Sequence, residues 1–197
     1  MRRVTKADGP GRQGSQRMRR PERREHILRA AARAFGRAGF AATSLDDVAQ
    51  EAGVTRAILY RHFESKADLY RAVLDQAQRR LAEATGAPAF TKDSIDGLLD
   101  AAAEDPDGFR LLFQHAAREP EFRAQMDELR AASIGVALDQ LAGQIPDAPW
   151  TRWAAQLAAF TTIEAVIAWL DAGQPDPDRA ARRIRQVVAA IVRSARR

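Results

Sequence analysis

The stretch Leu45-Asp-Asp-Val-Ala-Gln-Glu-Ala-Gly-Val-Thr-Arg-Ala-Ile-Leu-Tyr-Arg-His-Phe63 constrains this chain more than any other. Leu45, Val48, Ala49 and Ala52 recur at i, i+3, i+4 and i+7, the spacing of one apolar helical face. Ser44 stands just before that face and Asp47 three residues later, an acidic form of the capping box. Gly53 ends the helix, being the residue type that enters the left-handed conformation at least cost. A second short helix, with Thr55 as its candidate cap, buries Ile58, Leu59 and Phe63. Its outward face is then Arg56, Ala57, Tyr60, Arg61 and His62. Two short helices around a glycine turn, the second polar and basic outward, read as a helix-turn-helix whose second helix enters the DNA major groove.

The flanking pattern extends this unit. Pro21 suits a first helical turn, Ile27, Leu28, Ala31, Ala34 and Phe35 form an inner face, and Gly39 stops the helix. Ser65 and Asp68 predict a second acidic capping box, opening a fourth helix with the stripe Leu69, Ala72, Val73 and Ala77. The organisation expected is a basic disordered arm over residues 1–20 and a three-helix DNA-binding domain over 21–66. A connecting helix then runs over 66–84, ahead of a regulatory and dimerisation domain over 85–197. Residues 85–93 form the linker. Beyond it the periodicity stays helical, broken at Pro106, Pro120, Pro146 to Pro149 and Gly173 to Pro177. Ile95, Leu98 and Leu99 mark a fifth helix, and Phe109, Leu112, Phe113 and Ala116 a sixth. The seventh carries two stripes, Phe122-Met126-Leu129 and Ile134-Leu138-Leu141-Ile145. No strand pattern occurs, so the fold class is all-α with about nine helices.

From Trp153 to Leu170 the one formal charge is Glu164, over a length close to a membrane span. Gln156, Thr161, Thr162 and the mid-span glutamate argue against lipid, where such a charge is expensive. The final helix places Ile184, Val187, Val188, Ile191 and Val192 on one face, with arginines opposite. A helix apolar nearly all round beside a strongly amphipathic one predicts a pair buried between subunits, with Leu157, Thr161, Ile184, Val187, Val188 and Ile191 at the interface. An intramolecular core is the alternative.

Charge is unevenly spread. Residues 1–83 hold 18 Lys/Arg against 10 Asp/Glu, and residues 84–197 hold 13 against 16. A basic first half is the footprint of a nucleic-acid-binding end, although part of the excess lies in residues 1–20. That segment carries seven basic residues and one acid, and lies on phosphates or the minor groove if it is not simply solvated. Its Gly9-Pro-Gly-Arg-Gln-Gly14 matches a dinucleotide fingerprint in letters only, with no strand before it. The same segment has no apolar core of a secretory signal, and the chain lacks cysteine, so the expected location is cytoplasmic, with no disulfide framework and no metal site.

Phe40-Ala-Ala-Thr-Ser-Leu-Asp-Asp-Val-Ala and Ala52-Gly-Val-Thr-Arg-Ala-Ile-Leu-Tyr-Arg-His-Phe-Glu-Ser-Lys-Ala-Asp-Leu69 closely resemble the TetR family of bacterial transcriptional regulators. The resemblance covers roughly residues 21–80, and Leu-Tyr-Arg-His-Phe-x-Ser-Lys-x-x-Leu is its specific run. It implies a homodimer formed by the last two long helices, repression by promoter occlusion, and a double-stranded DNA operator as partner. It also aligns Tyr60, His62, Lys66, Thr43 and Ser44 with positions that hold the DNA backbone. Ala57 departs from the family, which often has glycine there, so a methyl meets the groove.

Arg56 is the first candidate for base readout, because a guanidinium at the start of a recognition helix grips guanine O6 and N7 together; a phosphate contact is the alternative. Thr55, Ala57 and Arg61 complete the expected DNA face. Ser44 also serves as a cap, and His62 is either a phosphate partner or a partly packed ring. Phe109, Phe113, His115, Met126, Trp153, Phe160 and Glu164 are the candidates for an apolar small-molecule site, with ordinary core packing the competing reading for each aromatic. Glu164 amid apolar residues demands a pair, a proton or a ligand. No cofactor is implied. Three scattered histidines and no nucleophile elbow leave an enzyme without a site. A sequence-indifferent architectural protein is the remaining rival, distinguished by DNA binding that depends on salt and not on sequence.

Overall fold

The computed structural model describes residues 19–86 and 94–196. The sequence-predicted basic arm up to residue 18 and most of the predicted linker lie outside them. Among the described residues the chain is helical throughout: α1 (Arg20–Ala42), α2 (Leu45–Glu51), α3 (Arg56–Tyr60), α4 (Lys66–Thr85), α5 (Ser94–Glu104), α6 (Pro106–Arg110), α7 (Arg123–Leu141), α8 (Ala148–Asp171) and α9 (Pro177–Ala195).

The head is built as its local signals dictate. Ile27, Leu28, Ala31, Ala34 and Phe35 of α1 are buried against Val48, Ala49, Leu59, Phe63 and Leu69. Gly39, at φ 78, breaks the end of α1, and Gly53, at φ 60, makes the turn between α2 and α3. Ser44 and Asp47 form the predicted box: the Asp47 amide donates to Ser44 Oγ over 3.1 Å, and the Ser44 amide to Asp47 Oδ2 over 2.8 Å. The Ser44 amide first, and then the Ser44 hydroxyl, which donates to Asp47 Oδ2 over 2.7 Å, hold the Asp47 carboxyl below its ordinary range. The second box is only half formed. Asp68 N–H donates to Ser65 Oγ, but the Asp68 carboxylate takes the Glu64 amide and not that of Ser65. Polar ties fix α2 on α1: His26 Nε2 lies 2.8 Å from Ala52 O, and Arg33 and Arg37 both grip Glu51.

The α4 helix joins head to body. Its first half contributes Leu69, Tyr70 and Val73 to the head core, and its second half packs on α5. At the junction Tyr70 sits among Phe35, Phe40 and Phe122, with ring centroids 4.8, 5.0 and 4.6 Å away. Among the described residues its hydroxyl is the buried side-chain polar atom without a partner, and burial pushes its pKa up.

The predicted sixth helix is not continuous. After α6 the chain makes a π-helical turn (Leu111–His115) and two 3-10 turns (Ala116–Arg118 and Pro120–Phe122) before α7. Pro120, lacking an N–H, cannot continue a preceding helix. Helices α7 to α9 pack in sequence, α8 lying between the other two. Ala154, Ala155, Ala158, Val166, Ile167 and Leu170 of α8 are buried within the protomer. This helix is long and apolar enough to cross a membrane by length and composition, but the burial of that face shows what its apolarity serves here.

Candidate nucleic-acid interface

The recognition helix α3 is short, and its position rests on Leu59 and Phe63, 1% and 4% exposed. Their anchorage turns Thr55, Arg56, Ala57, Tyr60 and Arg61 outward to solvent. Thr55 holds the N-cap position but makes no side-chain cap bond, so its hydroxyl is available to a ligand. Arg56 is engaged on both prongs. Nη1 donates to Asp46 Oδ2 over 3.1 Å and Nη2 to Tyr60 Oη over 3.2 Å, with the guanidinium 5.5 Å from the Tyr60 ring centroid. The Tyr60 bond, and then the Asp46 charge, raise the Arg56 pKa further. An exposed pair of this kind is screened by water and weak, weaker than a bidentate contact to a guanine edge. The Asp46 contact is therefore weak enough to be exchanged for a stronger one, and it holds Arg56 at the exposed face of α3.

Two residues predicted to hold the DNA backbone are already engaged within the protein. Thr43 is 2% exposed, and its hydroxyl donates to Gly39 O over 2.7 Å. It ties off the end of α1 and is not presented to phosphate. Lys66 Nζ donates to Phe40 O at 2.9 Å and Ala41 O at 3.3 Å and lies 4.5 Å from the Phe40 ring centroid. The ammonium caps carbonyls at the end of α1, which spends two of its three donors. Ser44 remains exposed beside its capping role.

His62 is half-buried against Phe63, ring centroids 6.2 Å apart. Burial first, then the nearby Arg20, Arg23 and Arg24, hold its pKa below the ordinary 6.5. These arginines on the first turns of α1 were not picked out from the sequence. Their proximity to α3 adds cationic groups flanking the recognition helix, and the +8 excess of the first half was the available signal. DNA phosphate at this corner would offset the arginine field and favour protonated His62. Operator affinity is therefore expected to rise about three- to tenfold between pH 7.5 and 5.5, a tenfold change corresponding to one pKa unit. In His62→Asn, fluorescence anisotropy should show that rise flattened; an unaltered pH slope would exclude His62 from the interface.

Two cavities stand out among the described residues of the body. The larger, of about 440 Å³, lies among α4, α5, α7, α8 and α9, with Gln78, Leu98, Phe113, Val136, Thr162 and Val188 on its walls. The smaller, of about 150 Å³, is lined by Leu112, Met126, Arg130, Phe160 and Glu164 among others. Of the predicted ligand residues, Phe113 lines both, while Met126, Phe160 and Glu164 line only the smaller. Phe109 is core, 3% exposed and tilted against Phe113 with ring centroids 4.8 Å apart. Neither His115 nor Trp153 lines either of these cavities: burial lowers the His115 pKa on the π-helical turn, and Trp153 is 42% exposed. Glu164 is exposed, so its charge needs no buried partner.

The predicted interface residues also divide. Leu157 and Val187 face solvent, at 37% and 47% exposed, and Thr161 is half-buried. Ile184 is 5% exposed in the protomer core, and Val188 and Ile191 pack inward beside it and Val192. Much of the amphipathic face of α9 is thus covered within one subunit, while Val187 stays exposed. The unpartnered stripe is on α8, where Trp150, Trp153, Leu157 and Phe160 are exposed.

A two-helix head with an outward basic recognition helix, carried by a connecting helix into a helical body, defines a helix-turn-helix DNA-binding regulator. Residues 27–73 match the family model described as bacterial regulatory proteins, tetR family. The chain is 31% identical over 128 residues to the HTH-type transcriptional repressor SCO4008 of Streptomyces coelicolor, covering 62% of this chain and 67% of that one. This protein belongs to the TetR family of transcriptional regulators. It is also 28% identical over 190 residues to the HTH-type transcriptional activator FasR of Mycolicibacterium smegmatis, across 91% of this chain and 87% of the relative. Identity to the transcriptional regulator TtgR of Pseudomonas putida reaches 52%, but over 54 residues, about a quarter of either chain. In fold it is similar to a TetR-like regulator from Rhodococcus sp., with TM-score 0.74 and 21% identity over 89% of this chain and 96% of that one.

Proposed function

We propose that this regulator is a homodimeric repressor that occludes a promoter and is released from a near-palindromic operator by a small molecule bound in its body. One observation carries the reading. The helix that lines the larger cavity with Gln78, Leu81, Ala82 and Thr85 is the same α4 whose first half is buried in the head core. A ligand that shifts the second half of α4 shifts the head with it. Release requires only that the ligand prefer the non-binding form, and a coupling of about 1–3 kcal/mol suffices. Thr55, Arg56, Ala57, Tyr60 and Arg61 read the groove, with Ser44, His62 and the α1 arginines on phosphates. Two heads then enter successive major grooves with centres about 34–36 Å apart.

The test is selection of bound genomic fragments by the purified protein, followed by affinities on the recovered site and on scrambled duplex. An operator preferred by about 10³ or more supports a regulator. Equal affinity for both duplexes would return the architectural reading. On that operator, Arg56→Ala is expected to relax preference at one base position per half-site, by about 1–3 kcal/mol. Uniform weakening on every sequence would make Arg56 a phosphate contact.

A further inference from the structure

We infer that the larger cavity selects an uncharged, mostly apolar molecule bearing one hydrogen-bonding group, which Thr162 receives. This rests on the reading of that cavity as the effector site and names the chemistry it accepts. None of the described residues lining its 440 Å³ carries a formal charge. Its size falls within the range of about 300–1,000 Å³ typical of small-molecule sites. The space comes from small side chains opposed across two helices, Ala132, Ser133 and Ala137 on α7 against Ala158, Ala159 and Thr162 on α8.

The nearest charges among the lining residues of either cavity belong to the smaller recess. Arg130 and Glu164 stand there, beyond a wall that both cavities share through Phe113, Leu129 and Ile163. The Arg130 guanidinium lies over the Phe160 ring at 5.3 Å, an occupant it already has. A carboxylate or ammonium in the larger cavity would therefore lose its water without gaining a counter-ion, which strongly disfavours entry.

The polar groups of the lining are not equivalent. Thr85 Oγ1 donates to Leu81 O over 2.7 Å, Ser133 Oγ to Leu129 O over 2.9 Å and Ser94 Oγ to Thr85 O over 3.2 Å. These hydroxyls are spent on backbone. Thr162, on the same cavity and only 9% exposed, makes no side-chain hydrogen bond among the described residues. The Thr162 hydroxyl is thus left open to an occupant of the cavity, whose donor or acceptor would pair with it. The Gln78 carbonyl accepts from Gln125 Nε2 over 3.4 Å, which leaves its own amide N–H groups as a second neutral donor.

The experiment compares four probes on one skeleton with the full chain by titration calorimetry: naphthalene, 1-naphthalenemethanol, 1-naphthoate and 1-naphthylmethylammonium. The alcohol is expected to bind tightest, about fivefold better than naphthalene, and both ions about 100-fold worse than the alcohol. Thr162→Val, of nearly equal shape, should erase the advantage of the alcohol over naphthalene while leaving naphthalene unchanged. Binding of the naphthoate as tightly as the alcohol, an unaltered alcohol-to-naphthalene ratio in Thr162→Val, or failure of all four to bind would each overturn the inference. Operator release is measured separately. The predicted ranking without release would leave the selectivity standing and remove induction. Release by the naphthoate, abolished when Ala132→Phe fills the cavity, would keep induction and overturn the selectivity.

Discussion

Leu157→Arg is expected to convert a dimer into a monomer and to weaken operator binding by about 10²- to 10⁴-fold, the range over which linking two binding heads exceeds one head alone. The expectation follows from one face of α8. Trp150, Trp153, Leu157 and Phe160 recur at steps of three, four and three residues, so they form a single stripe, exposed by 51%, 42%, 37% and 39%. Trp150 and Trp153 already meet edge to face, with centroids 5.5 Å apart, which presents a broad aromatic surface at one end of the stripe. Contiguous exposed apolar surface with large aromatics is the composition of an interface core. In a two-fold interface each substitution appears twice, so two guanidinium groups must be desolvated near each other across it. Because Leu157 is already over a third exposed in the protomer, the fold itself should survive; melting of the variant should be little changed by comparison with the loss of association. Sedimentation velocity at micromolar concentration reads the mass directly. A variant that still sediments as a dimer would place the interface elsewhere.

That stripe illustrates which parts of this molecule are legible in its sequence. Signals that act within a few residues were mostly so: Gly39 and Gly53 take positive φ where a helix must stop, and Ser44 caps α2 with Asp47, although the Ser65–Asp68 box closes only on one side. The buried faces of α1 and α4 follow from periodicity. Side-chain engagements were less legible, because they depend on where the folded backbone places its carbonyls. Lys66 reaches the carbonyls of Phe40 and Ala41, 26 and 25 residues back, and Thr43 turns its hydroxyl inward onto α1. Nothing local distinguishes these from groups waiting for phosphate. On α9 the amphipathic pattern showed that a face is buried but not by whom; α5 and α8 of the same chain cover it. A cavity is harder still, since it consists of what is missing. Aromatics attracted attention as its lining, yet Phe109 is core and Trp153 lies outside, and the room is left by alanines and serines on facing helices. Small residues at helical spacing permit either close approach or a void, and only the placement of both helices decides.

Close approach does occur, between α4 and α5, and Gly97→Ala should expose it. A methyl on Gly97 would stand 2.0 Å from Ala84 O, 2.7 Å from Ala84 C and 3.1 Å from Thr85 Cα. All three are backbone atoms of the α4 terminus, which cannot rotate aside as a flexible side chain would. Overpacking of this kind costs about 1–3 kcal/mol and occasionally more, and backbone on the far side puts this site at the upper end. Alanine's helix preference returns about 1 kcal/mol, too little to reverse the sign. A net loss of about 2 kcal/mol in a chain of this size lowers the melting temperature by about 4–8 °C. Gly135→Ala supplies the control: it also lies inside a helix, α7, but its added methyl meets nothing within 4 Å. There the propensity gain should appear unopposed, leaving the melting point level or raised. The consequence reaches function, because Thr85, Ser94, Ile95 and Leu98 on either side of this contact line the larger cavity. Forcing α5 away from α4 widens that cavity and frees the second half of the helix that carries the head, so Gly97→Ala should also lose operator affinity in the absence of any ligand. A Gly97→Ala protein as stable as Gly135→Ala would mean that the two helices do not meet backbone to backbone.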